Sequence, residues 1–133
     1  MNRLETEKNL KDIEREKNSI KKAIIDYYHE GHVKSDPELY KKILHDKWKF
    51  FLFDENENLR IVDKEEYLSW YNPRNLNENL TWTTDFFYID ITGNVGAAKL
   101  KLECQEVGYI DYFNLMKING KWWIVHKLSY KIK

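Results

Sequence analysis

Asp111 and His126, near the C-terminal end of the chain, are the residues best suited to proton transfer. They lie in apolar segments on either side of Asn119-Gly120, a dipeptide that favours a two-residue β-hairpin turn. Counting back from this turn pairs Phe113 with His126 and places Asp111 diagonally opposite on the same face. Diagonal neighbours are roughly 7–8 Å apart, so the carboxylate can orient the imidazole for acid–base catalysis. The alternative is a structural pair or one at a solvated rim, because ion pairs also perturb titration without catalysis.

His45 is a further candidate imidazole. It follows a predicted helix, where it either joins the same site or caps the helix C-terminus, a position that favours positive charge. Together with His29 or His32 it matches no metal-ligand spacing, so no metal is predicted. The sequence also has no glycine-rich phosphate loop or nucleophile motif, so no cofactor is predicted. Whether the protein is an enzyme stays open, with His126, Asp111 and His45 as the catalytic candidates.

The hairpin of residues 109–130 carries large apolar groups on both faces and therefore needs cover on both. We expect helices on the face that holds Asp111 and His126. The opposite face presents a second apolar set, which predicts a homodimer interface formed by Tyr112, Met116, Trp123 and Val125. The same alternation assigns Lys127 to this outer face, beside Tyr112.

The preceding segments supply the predicted helices. Apolar spacing from Ile20 to Tyr28 predicts an amphipathic helix ending at Gly31. A second helix is predicted to begin after the cap Asp36 and to end before His45. A short hairpin follows at residues 48–62, then a helix capped by Asp63 and a polar loop at residues 72–79. Four strands with short turns complete the chain, and in the first pair Phe87 lies opposite Leu100. This order predicts an α+β domain with helices over one face of a curved antiparallel sheet.

Composition limits the classes of partner. The chain has 133 residues with 22 basic and 22 acidic ones, interspersed throughout, so nucleic acid is not an expected partner. No segment approaches the ~20 apolar residues of a membrane span, and we expect a cytoplasmic protein without membrane contact. Residues 1–18 are charged and form either an arm or a helix extension, while residues 19–133 form the single predicted domain.

The order of elements resembles the NTF2-like, or cystatin-like, cone. The resemblance is closest to its "putative lumazine-binding" branch and covers about residues 20–130. Six stretches carry it: Ile89-Asp90-Ile91-Thr92-Gly93-Asn94-Val95, Ala97-Ala98-Lys99-Leu100, the run from Tyr109 to Trp122 with its Asn-Gly-Lys-Trp turn, Ile124-Val125-His126-Lys127, Ala23 to Gly31, and Leu44-His45. The chain departs from the family at its N-terminal arm and at His45-Asp46-Lys47-Trp48.

The resemblance implies a pocket on the concave side of the cone and dimers across the outer sheet face. Relatives such as ketosteroid isomerase and SnoaL-like cyclases use pocket carboxylates, histidines and tyrosines for acid–base chemistry. We expect a pocket for a small, partly aromatic molecule, lined by Tyr27, Tyr28, His45, Phe87, Leu100, Asp111, Phe113 and His126. The alternatives are an isomerase, dehydratase or cyclase that uses His126 and Asp111, and a non-catalytic dimeric scaffold. A bulge between Asn114 and Lys121 would exchange the two faces of the hairpin.

Overall fold

The computed structural model describes residues 2–133, without the side chain of Thr6. Its helical segments are α1 (Arg3–Ala23), a π-helical segment (Ile24–His29), α2 (Glu30–Lys34), α3 (Pro37–Tyr40), α4 (Lys64–Ser69) and a 3-10 turn (Pro73–Asn75). Its strands are β1 (Leu44–Phe53), β2 (Leu59–Asp63), β3 (Thr83–Thr92), β4 (Val95–Glu103), β5 (Gly108–Ile118) and β6 (Lys121–Lys131). The predicted order of helices, short hairpin, helix and four-strand meander is confirmed.

The N-terminal helical run is longer than its apolar pattern indicates. Asn2 caps it through a capping box with Glu5, and residues 3–18 are part of α1; Met1 lies outside the described residues. Gly31 does not end this run, which continues to residue 34 and stops where Ser35 adopts a left-handed φ of 49°. The glycine is instead a packing position, since a Cβ there would lie 2.6 Å from a ring carbon of Tyr40.

The π-helical segment interrupts this run where it crosses the sheet. Such wide turns are rare and occur mainly at functional sites. In this protein the segment carries Tyr28, which is fully buried, and His29, whose Nδ1 lies 2.8 Å from the hydroxyl oxygen of Thr84 on β3. The wide π-helical turn therefore lies where the helix packs on the inner face of the sheet.

One six-stranded sheet forms the other layer, in the order β2-β1-β6-β5-β4-β3. β1 runs parallel to β6, and the remaining pairs are antiparallel. The helices and the inner sheet face enclose a core that includes Ile20, Ile24, Trp48, Leu100, Leu102, Leu115 and Ile124. Among residues 2–133, no helix is long and apolar enough to cross a membrane.

The predicted Asn119-Gly120 turn is confirmed, with left-handed φ angles at both residues and Ile118 opposite Lys121. The predicted register holds as far as Leu115 opposite Ile124. Val125 is then an extra residue on β6, so Asn114 lies opposite His126, Phe113 opposite Lys127 and Asp111 opposite Ser129. The predicted pairing of Phe113 with His126 is therefore wrong, because one bulged residue moves every later side chain of β6 to the other face.

A second bulge lies between β3 and β4. Phe86 is opposite Leu100 and Tyr88 is opposite Lys99, which leaves Phe87 unpaired. The predicted pairing of Phe87 with Leu100 is wrong for the same physical reason. Phe86 packs against the core, whereas Phe87 is 55% exposed.

Candidate functional site

A cavity of about 410 Å³ opens between the helices and the concave face of the sheet; we call it the cone cavity. Its walls are mainly aromatic, formed by Phe50, Tyr67, Trp70, Tyr71, Trp82 and Tyr109. Polar groups reach it from His32, Ser35, Asn75, Lys127 and Ser129. A wider depression of about 650 Å³ adjoins the cavity, and the two share Phe50, Leu52, Tyr109 and Ser129. The size and lining are those of a small-molecule site.

Lys127 is the principal polar group of the cavity. Its side chain is 4% exposed, and its Nζ lies 4.1 Å from the ring centroid of Phe50, 4.9 Å from that of Tyr67 and 5.2 Å from that of Tyr28. No carboxylate oxygen of residues 2–133 lies within 4.0 Å of this nitrogen. Lysine is almost never fully buried without an ionic partner, so this residue requires an explanation beyond packing.

Asp111 lies behind the cavity wall, one diagonal position from Lys127. It is fully buried, and its Oδ2 accepts a 2.9 Å hydrogen bond from the Tyr28 hydroxyl. Its Oδ1 is also buried and has no hydrogen-bond partner among residues 2–133. A half-satisfied buried carboxylate is costly, which makes this carboxylate a second group with capacity for a ligand or a water.

The pKa shifts separate the acids and bases of the site. Burial lowers the pKa of Lys127, and the negative charge of Asp111 opposes this effect only in part. Burial raises the pKa of Tyr28, Tyr40 and Tyr67 well above the usual tyrosine range. The tyrosine hydroxyls are therefore neutral hydrogen-bond donors at physiological pH.

His32 forms part of the cavity wall between tyrosines and a tryptophan. Its Nδ1 lies 2.7 Å from the Tyr40 hydroxyl and 3.0 Å from the carbonyl oxygen of Tyr28, and its ring meets that of Trp82 edge-on. Burial lowers the pKa of His32 to about 3. The imidazole is therefore neutral near pH 7.

The structure brings together some of the residues predicted for the pocket. Tyr28, Leu100, Asp111 and Phe113 are buried on the inner side of the sheet, with the ring of Phe113 edge-on to that of Tyr28. Tyr27 is half-buried at the edge of the core, with Lys42 Nζ 5.7 Å from its ring centroid. None of these five residues is among those that line the cone cavity.

The predicted histidines lie elsewhere. His126 is on the outer face, where its ring is 4.9 Å from that of Phe51 and its Nδ1 is 3.4 Å from the side-chain nitrogen of Asn114. His45 lies in β1 near the hairpin tip, where its ring meets Trp123 and its Nδ1 accepts from the Lys47 backbone N–H. The bulge at Val125 thus separates His126 from Asp111, and no predicted histidine joins the carboxylate.

The simple alternation of side chains missed Lys127 and Ser129. It assigned Lys127 to the outer surface, whereas the structure buries it in the cone cavity. The sequence signal for the bulge was the apolar run from Trp122 to Val125. A regular strand with one solvated face alternates apolar and polar residues, so four apolar residues in a row depart from that pattern. His32, Trp82 and the end of the polar loop were also missed, because loops and helix ends contribute through tertiary packing.

The predicted dimer face is partly exposed in the single chain. Tyr112 and Met116 are 41% and 42% exposed, and Trp123 and Val125 are half-buried. Lys99 lies between rings of this face, with its Nζ 5.2 Å from the centroid of Tyr112 and 5.0 Å from that of Phe87. Across the described part of the chain, no three His, Cys, Asp or Glu residues are grouped to hold a metal ion.

The curved, unclosed sheet around its helices and the cavity on the concave side define an NTF2-like protein. This fold is shared with an NTF2-like protein of unknown function from Shewanella baltica OS155, at 21% identity and a TM-score of 0.78 over 90% of this chain and 95% of that one. Another NTF2-like protein of unknown function, from Methylobacillus flagellatus KT, is 22% identical, with a TM-score of 0.73 over 87% of this chain and 91% of that one.

A third, from Silicibacter pomeroyi DSS-3, is 12% identical, with a TM-score of 0.78 over 90% of this chain and 98% of that one. Residues 15–130 match the model of the family described as "Putative lumazine-binding", so the chain belongs to that family. No curated protein is similar in sequence to this chain. The fold and the family are therefore established, and function has to be argued from the site.

Proposed function

We propose that the protein binds a small, mainly aromatic and uncharged molecule in the cone cavity, with an oxygen of that molecule accepting a hydrogen bond from Lys127. The observation that carries this proposal is the buried Lys127 side chain without an ionic partner, 4.1–5.2 Å from three aromatic ring centroids. An acceptor brought by a ligand supplies the partner that the protein does not provide.

The cavity walls support an aromatic ligand. Six aromatic side chains line a space of about 410 Å³, and flat rings gain from offset and edge-on contacts with such walls. Within that wall, Tyr67 and Tyr71 already meet at a ring-centroid distance of 5.1 Å. The cavity therefore offers aromatic contact surfaces on several sides to a planar ligand of one or two fused rings.

The charges near the cavity support an uncharged ligand. Lys127 is the only Lys or Arg among the residues that line it, and the negative charge of the nearby Asp111 offsets its positive charge in part, without a direct ion pair. A carboxylate ligand would meet no surplus of positive charge and would be repelled by Asp111. A hydroxyl or carbonyl group avoids this repulsion.

Binding of 2-naphthylmethanol tests the proposal. The alcohol is expected to quench tryptophan fluorescence saturably and to raise the unfolding free energy by about 1.4 kcal/mol at ten times its Kd. Naphthalene-2-carboxylate is expected to bind at least about tenfold more weakly, because of Asp111.

The matched variants are Lys127→Met, which is expected to weaken binding of the alcohol, and Lys121→Met. Lys121 also lies over an aromatic ring, at 3.8 Å from the centroid of Trp123, but outside the cavity. If neither probe stabilises the protein and a wider thermal-shift screen of aromatic molecules finds no ligand, the proposal is wrong.

Isomerase, dehydratase or cyclase chemistry is a second candidate. The feature that favours it is the buried and unpartnered Oδ1 of Asp111, which has the character of a general base. His126 does not assist it, since this residue lies on the outer face. In this case the protein would exchange the α-protons of 2-tetralone with D₂O faster than buffer does, and Asp111→Asn would abolish the excess rate; an unchanged rate would exclude this candidate.

We also infer a homodimer through the outer sheet face, the association that the scaffold hypothesis requires. The exposed side chains of Tyr112 and Met116 support it, together with Leu128, which is 46% exposed on β6. Light scattering would give twice the chain mass for the native protein and one chain mass for Met116→Lys, with Leu10→Lys on α1 as the surface control. A native monomer at high concentration would contradict the dimer.

The cytoplasmic location stays a prediction, which fractionation of cells tests.

A further inference from the structure

We propose that Lys127 is a nucleophilic amine that forms a reversible Schiff base with an aromatic aldehyde or ketone held in the cone cavity. The proposal rests on the proposed function, because it names the chemical class of the bound oxygen group as a carbonyl. It adds a covalent step that binding alone does not require.

The position of the amine supports a nucleophile. Lys127 belongs to β6, with Phe113 opposite it on β5, so its backbone is held at the centre of the sheet. The side chain forms part of the cavity wall, and its Nζ contacts rings and no carboxylate among residues 2–133. A lysine that only anchored an anion would need a surplus of positive charge, which the nearby negative charge of Asp111 reduces.

The surroundings favour the neutral amine that such a reaction requires. Burial among Phe50, Tyr67 and Tyr28 lowers the pKa of Lys127. Desolvation in an apolar pocket is one of the established ways to activate a lysine for Schiff-base chemistry. Asp111 opposes the shift but does not cancel it.

Two hydroxyl groups are placed to receive the carbonyl oxygen. Ser129 lies two residues after Lys127 on the same face of β6, and its buried Oγ has no hydrogen-bond partner among residues 2–133. The Tyr67 hydroxyl is likewise buried without a partner of good geometry within the described chain, and both residues line the cavity. A carbonyl carbon near Nζ would have its oxygen within reach of these donors, which stabilises the charge that develops there.

The reaction balances without any oxidant or reductant. The nitrogen lone pair forms a C–N bond while the C=O π pair moves to oxygen, and the proton released by nitrogen ends on that oxygen as the carbinolamine hydroxyl. Loss of this hydroxyl as water, with a second proton from nitrogen, leaves a C=N bond. Amine and carbonyl thus give imine and water, and hydrolysis reverses the step.

Reductive trapping with 2-naphthaldehyde and sodium cyanoborohydride near pH 7, on the full chain, tests this proposal. The hydride fixes any imine as a naphthylmethyl amine, which intact-mass measurement and peptide mapping locate. We expect a single early modification at Lys127, at least about tenfold faster than at Lys121 or any exposed lysine, because binding raises the effective molarity of the aldehyde. The alcohol 2-naphthylmethanol is expected to suppress this labelling by competition.

The variants separate the covalent step from binding. Lys127→Met and Lys127→Arg are expected to lose the early labelling, and Ser129→Ala is expected to slow it. If the native protein binds the alcohol but labels Lys127 no faster than Lys121, the Schiff-base proposal is overturned and the proposed function stands. If the alcohol does not bind and Lys127 is not labelled, both proposals fail. Because labelling is mapped on the native chain, the decision does not depend on the folding of any variant.

Discussion

The Tyr28 hydroxyl donates a 2.9 Å hydrogen bond to Oδ2 of Asp111, across 83 residues of sequence. The donor lies in the π-helical segment and the acceptor in the first half of β5, and both side chains are fully buried. This bond fixes the helix on the concave face at the point where the cone cavity forms. It is also the one side-chain hydrogen bond that Asp111 receives in the described chain.

Replacing Tyr28 with phenylalanine is therefore expected to destabilise the fold. The change keeps the ring but leaves both oxygens of a buried carboxylate without a donor, which costs about 1–3 kcal/mol. Urea denaturation measures the loss, with Tyr27→Phe on the half-buried neighbour as the control. Combining Tyr28→Phe with Asp111→Asn should cost less than the sum of the two single changes; full additivity would show that the bond contributes nothing.

Replacing Lys127 with methionine is expected to stabilise the empty protein near neutral pH, because the cost of burying the charged amine outweighs its attraction to Asp111. Since the folded-state pKa of Lys127 lies below its ordinary value of 10.5, the unfolded chain binds more protons between those two values. The stability of the native protein therefore rises with pH through that window. The advantage of Lys127→Met should shrink as the pH approaches 10.5.

Denaturation midpoints of the two proteins between about pH 6 and pH 10 test this, as the slope depends on the difference in bound protons. Lys47→Met, at an exposed position of β1, is the control for the loss of a surface lysine. A Lys127→Met protein that is less stable than the native one at every pH would contradict the expectation.

Acidification is expected to destabilise the fold through His32. Its pKa is about 3 in the fold and 6.5 ordinarily, so the unfolded chain binds the extra proton between these values. Titration of His32 therefore leaves the free energy of unfolding unchanged above pH 6.5 and lowers it as the pH drops towards 3. His32→Phe should flatten this part of the profile, with His126→Phe on the outer face as the control for the loss of a histidine; a profile that His32→Phe leaves unchanged would refute the assignment.

Gly31→Ala is expected to destabilise the protein although alanine is the better helix former. The helix preference gains up to about 1 kcal/mol, but the new Cβ would lie 2.6 Å from the Tyr40 ring. Tyr40 is fully buried, and overpacking of this kind costs about 1–3 kcal/mol. Thermal melting, with Lys34→Ala as an exposed control in the same helix, shows whether Gly31→Ala lowers or raises the stability. A higher melting temperature for Gly31→Ala would show that the Tyr40 ring shifts to make room for the added Cβ.

Short-range signals in the sequence determined the elements and most of their order. The Asn119-Gly120 turn, the caps at Asp36 and Asp63 and the alternation of β4 depend on local backbone preferences and on burial of one face. The left-handed φ angles, the capping hydrogen bonds and the antiparallel meander agree with those expectations. The α+β class and the family also followed from this order.

Tertiary structure alone decided which side chains meet in the cavity. The extra residue Val125 exchanged His126 for Lys127 on the inner face, and the extra residue Phe87 moved that ring outward. A bulge is selected by the curvature that the whole sheet needs around its helices, so the energy that fixes it is not contained in either strand. The sequence by itself therefore determined the cone and the inner-face position of Asp111, and packing of the complete chain buried that carboxylate and supplied the lysine.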